Sequence, residues 1–158
     1  MWRAIAVIGG SLLVALILAL LPLPDGAEPW RPDGVALGLI YWCIALPDRV
    51  GVGIGWAVGL ALDVLSASLL GLNALGFAFI AYVALRWHLR ARVYRTWQRM
   101  LWVAILILVE RGFITWVHAL TGHPVDPILI WAPVLTSAAL WPWVFVILRD
   151  LRRRAQLR

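Results

Sequence analysis

The chain has 158 residues, of which 63% are hydrophobic and 14% charged, with a formal net charge of +6 and a mean hydropathy of +0.89. Soluble domains are about 45–50% apolar and about 25% charged, so an ordinary water-soluble domain and a disordered chain are both excluded. At about 20 residues per crossing the length fits about six membrane helices and leaves no room for a large soluble catalytic head.

The first predicted span is 4–23, closed by Pro22 and Pro24, which cannot continue a helix. The apolar run Ala4–Leu21 exceeds a signal-peptide core, and no small-x-small cleavage pattern follows it. It reads as an uncleaved span. A polar connection from Asp25 to Asp33 contains Glu28 and Arg31. The second span is 32–46, with Pro32 in its first helical turn. It is short for a crossing, so local thinning of the bilayer is expected. Pro47-Asp48-Arg49 forms a tight connection. From Val50 to Leu85 the only charge is Asp63. As one helix this stretch would reach about 54 Å, so it must fold back. The turn residues Ser66, Ser68, Gly71 and Asn73 place the break at 66–73, giving spans at 50–65 and 74–86. The segment 86–99 carries Arg86, Arg90, Arg92, Arg95 and Arg99 among Trp87, Tyr94 and Trp97. It reads as an interfacial segment in which Arg86, Arg90, Arg95 and Arg99 meet lipid headgroups. The fifth span, 100–120, is interrupted by Glu110-Arg111. A turn at 121–127 leads to a sixth span, 128–148, and a basic tail, 149–158.

All fourteen Lys-plus-Arg positions are Arg. They flank apolar blocks rather than forming one basic face. They therefore read as topology and headgroup charges, and no nucleic-acid partner is expected. The two strongly basic segments, 86–99 and the tail, are separated by two spans. Both belong on the cytoplasmic side, and counting spans back puts both termini there. Trp2, Trp30, Trp87, Trp97 and Trp102 fall near predicted interfaces, where they anchor the spans.

Three charges lie inside predicted spans: Asp63, Glu110 and Arg111. Such charges face protein or water rather than lipid. The expectation is buried polar packing or contact with a partner's helix, with Arg111 pairing to Asp63 across the bundle. Glu110 and Arg111 project about 100° apart and are not expected to share a face. The sharper alternative is a proton relay or ligand site. Gly51, Gly55 and Gly59 step by four residues, and Asp63 continues the step. Small residues at this spacing let helix backbones approach closely; they do not form a dinucleotide fingerprint. His88, His118 and His123 are scattered, so no metal site is expected. No Ser occupies a nucleophile elbow. Asp63 and Asp126 could be proposed as an aspartyl pair, but Asp126 between prolines reads as a turn residue. The lone Cys43 excludes an intramolecular disulfide and reads as packing. No catalytic residue and no cofactor are expected.

An ordered set of local patterns carries a family resemblance. Arg31-Pro32-Asp33 is followed by Tyr41-Trp42, Ala45-Leu46-Pro47 and Arg49-Val50. Then come Val52-Gly53, Gly55, Gly59 leading to Asp63, Leu70-Gly71, Ala74-Leu75 and Ala81-Tyr82, and finally Leu140-Trp141-Pro142-Trp143. Over about residues 30–82 and 140–149 this set resembles the bacterial rod shape-determining protein MreD family. The fifth span resembles it only in hydrophobicity. The resemblance implies an all-α integral membrane protein, a six-helix bundle similar to the substrate-binding components of energy-coupling-factor transporters. It implies an inner-membrane, non-enzymatic scaffold of the cell-elongation machinery. MreC is the expected direct partner, and MreB and peptidoglycan synthases are more distant ones. The alternative function is binding or transport of a small molecule or lipid precursor through the buried charges. A roomy polar cavity at Asp63, Glu110 or Arg111 would favour that alternative, and a filled core with paired charges would favour a scaffold.

Overall fold

A computed structural model describes residues 2–124 and 126–155. Met1, Val125 of the 121–127 turn and Arg158 of the basic tail lie outside the described residues. The described residues form six α-helices and one 3-10 turn, with no strand among them. The helices are α1 (Trp2–Leu20), α2 (Gly34–Ala45), α3 (Val52–Leu65), α4 (Leu72–Val93), α5 (Thr96–Leu120) and α6 (Ile128–Arg154). Four of them, α1, α4, α5 and α6, are long and apolar enough to cross a membrane. The all-helical architecture expected from hydropathy is the one found.

The second helix is the centre of the bundle. It has 12 residues, about 18 Å, well short of the roughly 30 Å hydrocarbon layer. Every residue from Val35 to Cys43 is buried. It packs on α1, α4, α5 and α6. A helix that is apolar on all sides is stable when protein surrounds it, and that is the case here. Local bilayer thinning is therefore unnecessary: α2 ends against protein, not lipid. Pro32 also lies outside the helix. Asp33 is the N-cap, its Oδ1 accepting from the Ala36 amide at 3.0 Å. Trp42 donates from Nε1 to Ser11 Oγ at 2.8 Å, fastening α1 to α2. The Arg31 guanidinium donates to the carbonyls of Ala19 and Leu21, closing the end of α1.

The fold-back at 66–73 is present, and Gly71 before α4 adopts φ +94°, a conformation that favours glycine. The basic segment is not a separate interfacial element. The fourth helix continues through Arg86, Arg90 and Arg92 to Val93, and the fifth begins at Thr96. Only Tyr94 and Arg95 between them are extended. The Arg95 amide donates to Gln98 Oε1 at 2.9 Å and so starts α5. Glu110-Arg111 does not interrupt α5. The sixth helix runs past its expected end to Arg154, with Pro133 and Pro142 inside it. Prolines are tolerated inside membrane helices; in the turn after Pro133, Thr136 Oγ1 donates back to the carbonyls of Ala132 and Pro133.

Contacts place the basic residues at one end of the bundle. Arg92 on α4 reaches the last carbonyls of α2, as does Arg152 on α6. Asp48 and Arg49 of the α2–α3 turn border a cavity with Ile5 and Ile8 of α1.

Candidate functional site

The buried charges form two separate constellations, and each sits where a helix begins inside the protein. The first is built on Asp33, which is 7% exposed. Its backbone amide donates to Ser137 Oγ of α6 at 2.9 Å. Its Oδ1 caps α2, and its Oδ2 accepts from Arg111 Nη2 of α5 at 2.7 Å. One residue thus ties α2 to α5 and α6. The negative carboxylate also meets the positive end of the α2 dipole. The lengths explain the meeting. Arg111 lies about 22 Å along α5 from Thr96, and α2 is about 18 Å long. Since both helices have those ends at the basic pole, the head of α2 rises to the level of Arg111.

Glu110 completes this cluster. It is 1% exposed and packs against Gly76 of α4, where an added Cβ would lie 2.9 Å from Glu110 Cγ. Its Oε2 is 3.5 Å from Arg111 Nε. Neither carboxylate oxygen has a hydrogen-bond partner among the described residues. The expectation that Glu110 and Arg111 cannot share a face is corrected here. Their Cα atoms do diverge, but the long Arg side chain folds back, and a single guanidinium serves both Asp33 and Glu110.

The second constellation corrects the expected Arg111–Asp63 pair. Asp63 is fully buried and accepts five hydrogen bonds from the turn and the head of α4. Ser68 Oγ and Asn73 Nδ2 donate at 2.8 Å, the Gly71 amide at 3.0 Å, and the Asn73 and Ala74 amides at 3.2 Å. The carboxylate needs no cation, because unsatisfied amides at a buried helix start are strong donors. Arg111 is engaged elsewhere, by Asp33 and Glu110.

Asp63→Asn keeps the volume but turns an amide group toward these donors. It is expected to lower stability by about 3 kcal/mol, while Ser68→Ala costs about 1 kcal/mol. Thermal unfolding of the detergent-purified variants measures both. An unchanged midpoint for Asp63→Asn would show that the cradle is not what holds the turn.

The glycine stripe is real over two of its three members. Gly55 and Gly59 face α4 at close range, whereas nothing lies within 4 Å of a Cβ placed on Gly51. Gly51 is the N-cap of α3 and not a packing residue. Of the four proposed headgroup arginines, Arg90 stacks over Trp87 at 5.3 Å and Arg95 is exposed. Arg86 is exposed at the same pole, and Arg99 turns inward, 5.1 Å from the Phe145 ring.

Sequence reasoning missed Asp33, Ser137, Asn73 and Gly76 as members of these clusters. Asp33 carried a usable signal: an Asp immediately before an apolar run is an N-cap pattern. Ser137 and Gly76 carried none, since each depends on which helix lies opposite.

Long apolar helices packed through small residues, with two buried aspartates at helix starts, define a polytopic α-helical membrane protein. The comparisons narrow this class. The model of the rod shape-determining protein MreD family matches residues 4–151. The rod shape-determining protein MreD of Haemophilus influenzae is 31% identical over 152 residues, covering 92% of this chain and 90% of that protein. The chain therefore belongs to the MreD family, and this membership supports a role in rod shape determination. The family is one of shape-determining proteins rather than a known enzyme family. No solved structure matches the chain.

Proposed function

We propose that this protein is a non-enzymatic scaffold in the bacterial inner membrane, holding together components of the cell-elongation machinery. In this reading it binds a transmembrane helix of MreC directly and meets MreB and the peptidoglycan synthases indirectly. The observation that carries it is that each interior charge has its partner within the protein. Asp63 spends its oxygens on the head of α4, and Asp33 and Glu110 share Arg111. Of the four cavities described, none is lined by Asp63, Glu110 or Arg111. That disfavours binding or transport through those charges.

Both termini are assigned to the cytoplasm. The support is that Arg86, Arg90, Arg92, Arg95, Arg99 and the α6 arginines gather at the pole opposite the 24–33 and 121–124 connections, with Arg31 the exception. The partner surface is the outer face of α1. Ile5, Leu13, Val14, Ile17 and Leu18 are exposed there, beside an apolar groove of about 620 Å³ against α3. Lipid gives no hydrophobic drive for association, so a groove that admits close packing is what a partner helix needs.

Depletion in a rod-shaped host tests the role. Cells are expected to round, and MreC is expected to co-purify with the protein from native membranes. A Leu13→Trp/Ile17→Trp variant should fold and lose that co-purification. Rods that persist after depletion would end the elongation reading. Rounding with MreC recovered equally from the variant would move the docking face elsewhere.

A further inference from the structure

The basic pole holds a site that the scaffold reading does not use. A cavity of about 280 Å³ opens where α2 and α6 finish and α4 turns into α5. Arg92, Arg99, Arg149 and Arg152 line it, with Tyr41, Trp141 and Phe145 among the other lining residues, and no acid does. Two of the four are braced by the α2 carbonyls: Arg92 Nη2 donates to Ile44 O at 3.1 Å and Arg152 Nη1 to Ala45 O at 3.5 Å. Arg99 Nη2 donates to the Arg92 carbonyl at 2.9 Å, and its Nε is buried with no partner among the described residues. The nearest carboxylate to Arg149 is Asp150, 3.8 Å away, and both side chains are largely exposed. Four guanidinium groups thus converge on one cavity with most of their donors unspent. Like charges crowded beside apolar walls repel strongly unless an anion enters.

The shape of the site says what kind of anion. Ile44, Ala91, Arg99 and Trp141 are shared with an apolar crevice of about 30 Å³ that runs between α4 and α5 toward Val83 and Leu106. A crevice of that volume admits about one or two water-sized groups and no acyl chain, so the cavity receives the head of its ligand, beside the apolar walls of Trp141 and Phe145. Guanidinium forks match phosphate oxygens in pairs, and basic pockets between membrane helices suit phosphorylated headgroups.

We propose that this cavity binds the phosphate of a membrane lipid headgroup. Arg99, Arg149 and Arg152 donate to its oxygens. The site is distinct from Arg86, Arg90 and Arg95, which do not line it, and it does not depend on the scaffold reading.

The test uses the full chain purified in detergent and native mass spectrometry with three probes: phosphatidylglycerol, oleate and inorganic phosphate. Phosphatidylglycerol is expected to be retained at least about tenfold more than oleate, a difference of about 1.4 kcal/mol. Millimolar inorganic phosphate should not displace it. Arg149→Gln/Arg152→Gln should lose that retention, whereas Arg153→Gln/Arg154→Gln, which removes the same charge outside the cavity, should keep it. Ala91→Leu keeps every charge but fills part of the headgroup cavity that Ala91 lines, and should also lose the lipid. Equal retention by the two Gln pairs, or equal retention of oleate and phosphatidylglycerol, would overturn the site. Displacement by inorganic phosphate would overturn the lipid as its occupant.

Discussion

Gly59→Ala is expected to prevent the protein from accumulating in a folded form. A Cβ on Gly59 would lie 2.5 Å from Ala74 Cα and Asn73 O and 2.7 Å from the Ala74 amide nitrogen. All three are backbone atoms, so no rotamer change relieves the clash. The two helices must separate at the turn that Asp63 holds one helical step further on, and its bonds to Asn73 and Ala74 stretch with them. Overpacking plus loss of buried hydrogen bonds is expected to cost at least about 3 kcal/mol. Gly55→Ala meets the Phe77 carbonyl at 2.8 Å and Ala81 Cβ at 3.0 Å. Its effect should be milder, since one of those contacts is a methyl group. Gly51→Ala meets nothing within 4 Å and should stay within about 0.5 kcal/mol of the parent. Thermal unfolding in detergent and the amount of folded protein per cell rank the three. If Gly59→Ala proves as stable as Gly51→Ala, the close seam between α3 and α4 is wrong. A loss of rod shape that follows the same ranking would link the seam to the family's role.

The contrast between these glycines shows what a linear reading reaches. Hydropathy and the basic connections were enough to count six helices and place the fold-back, because both depend on local chemistry. The Gly55–Gly59–Asp63 step was legible as one face of α3, because helical period alone puts those residues together. What that face touches was not legible. Asp63 looked like a charge in need of a cation, when the neighbour it meets is a helix start that supplies amides. The same blindness hid Asp33, which sits in a polar connection by sequence and in the interior by structure. Its burial follows from α2 being too short to reach the surface, and the depth at which a helix begins depends on its neighbours. The two buried aspartates therefore share one cause. A helix that begins inside protein leaves amides without water, and in a membrane those amides must be satisfied internally.

That cause yields a second large effect, at Arg111. Arg111→Met is expected to cost about 3–5 kcal/mol, because it strands Asp33 and Glu110 as buried carboxylates with no cation. Arg111→Lys should recover only part of this, since an ammonium cannot place separate donors on the Asp33 and Glu110 oxygens at the positions of Nη2 and Nε. A double-mutant cycle assigns the partner. Asp33→Asn keeps an oxygen to cap α2 while removing the charge, so Asp33→Asn/Arg111→Met should be more stable than Arg111→Met alone, with a coupling of at least about 1 kcal/mol. The corresponding cycle with Asp63→Asn should be additive within about 0.5 kcal/mol, because the two residues share no hydrogen-bond or ion-pair partner among the described residues. Strong coupling of Arg111 to Asp63 would restore the pairing that the sequence suggested and refute the present geometry. The neutralised Asp33→Asn/Arg111→Met protein then separates fold from function. If it folds and supports rod-shaped growth, the ion cluster serves only to seat α2 against α5 and α6. If it folds and cells still round, the charges act on a second molecule, and internal pairing of the charges can no longer carry the scaffold reading.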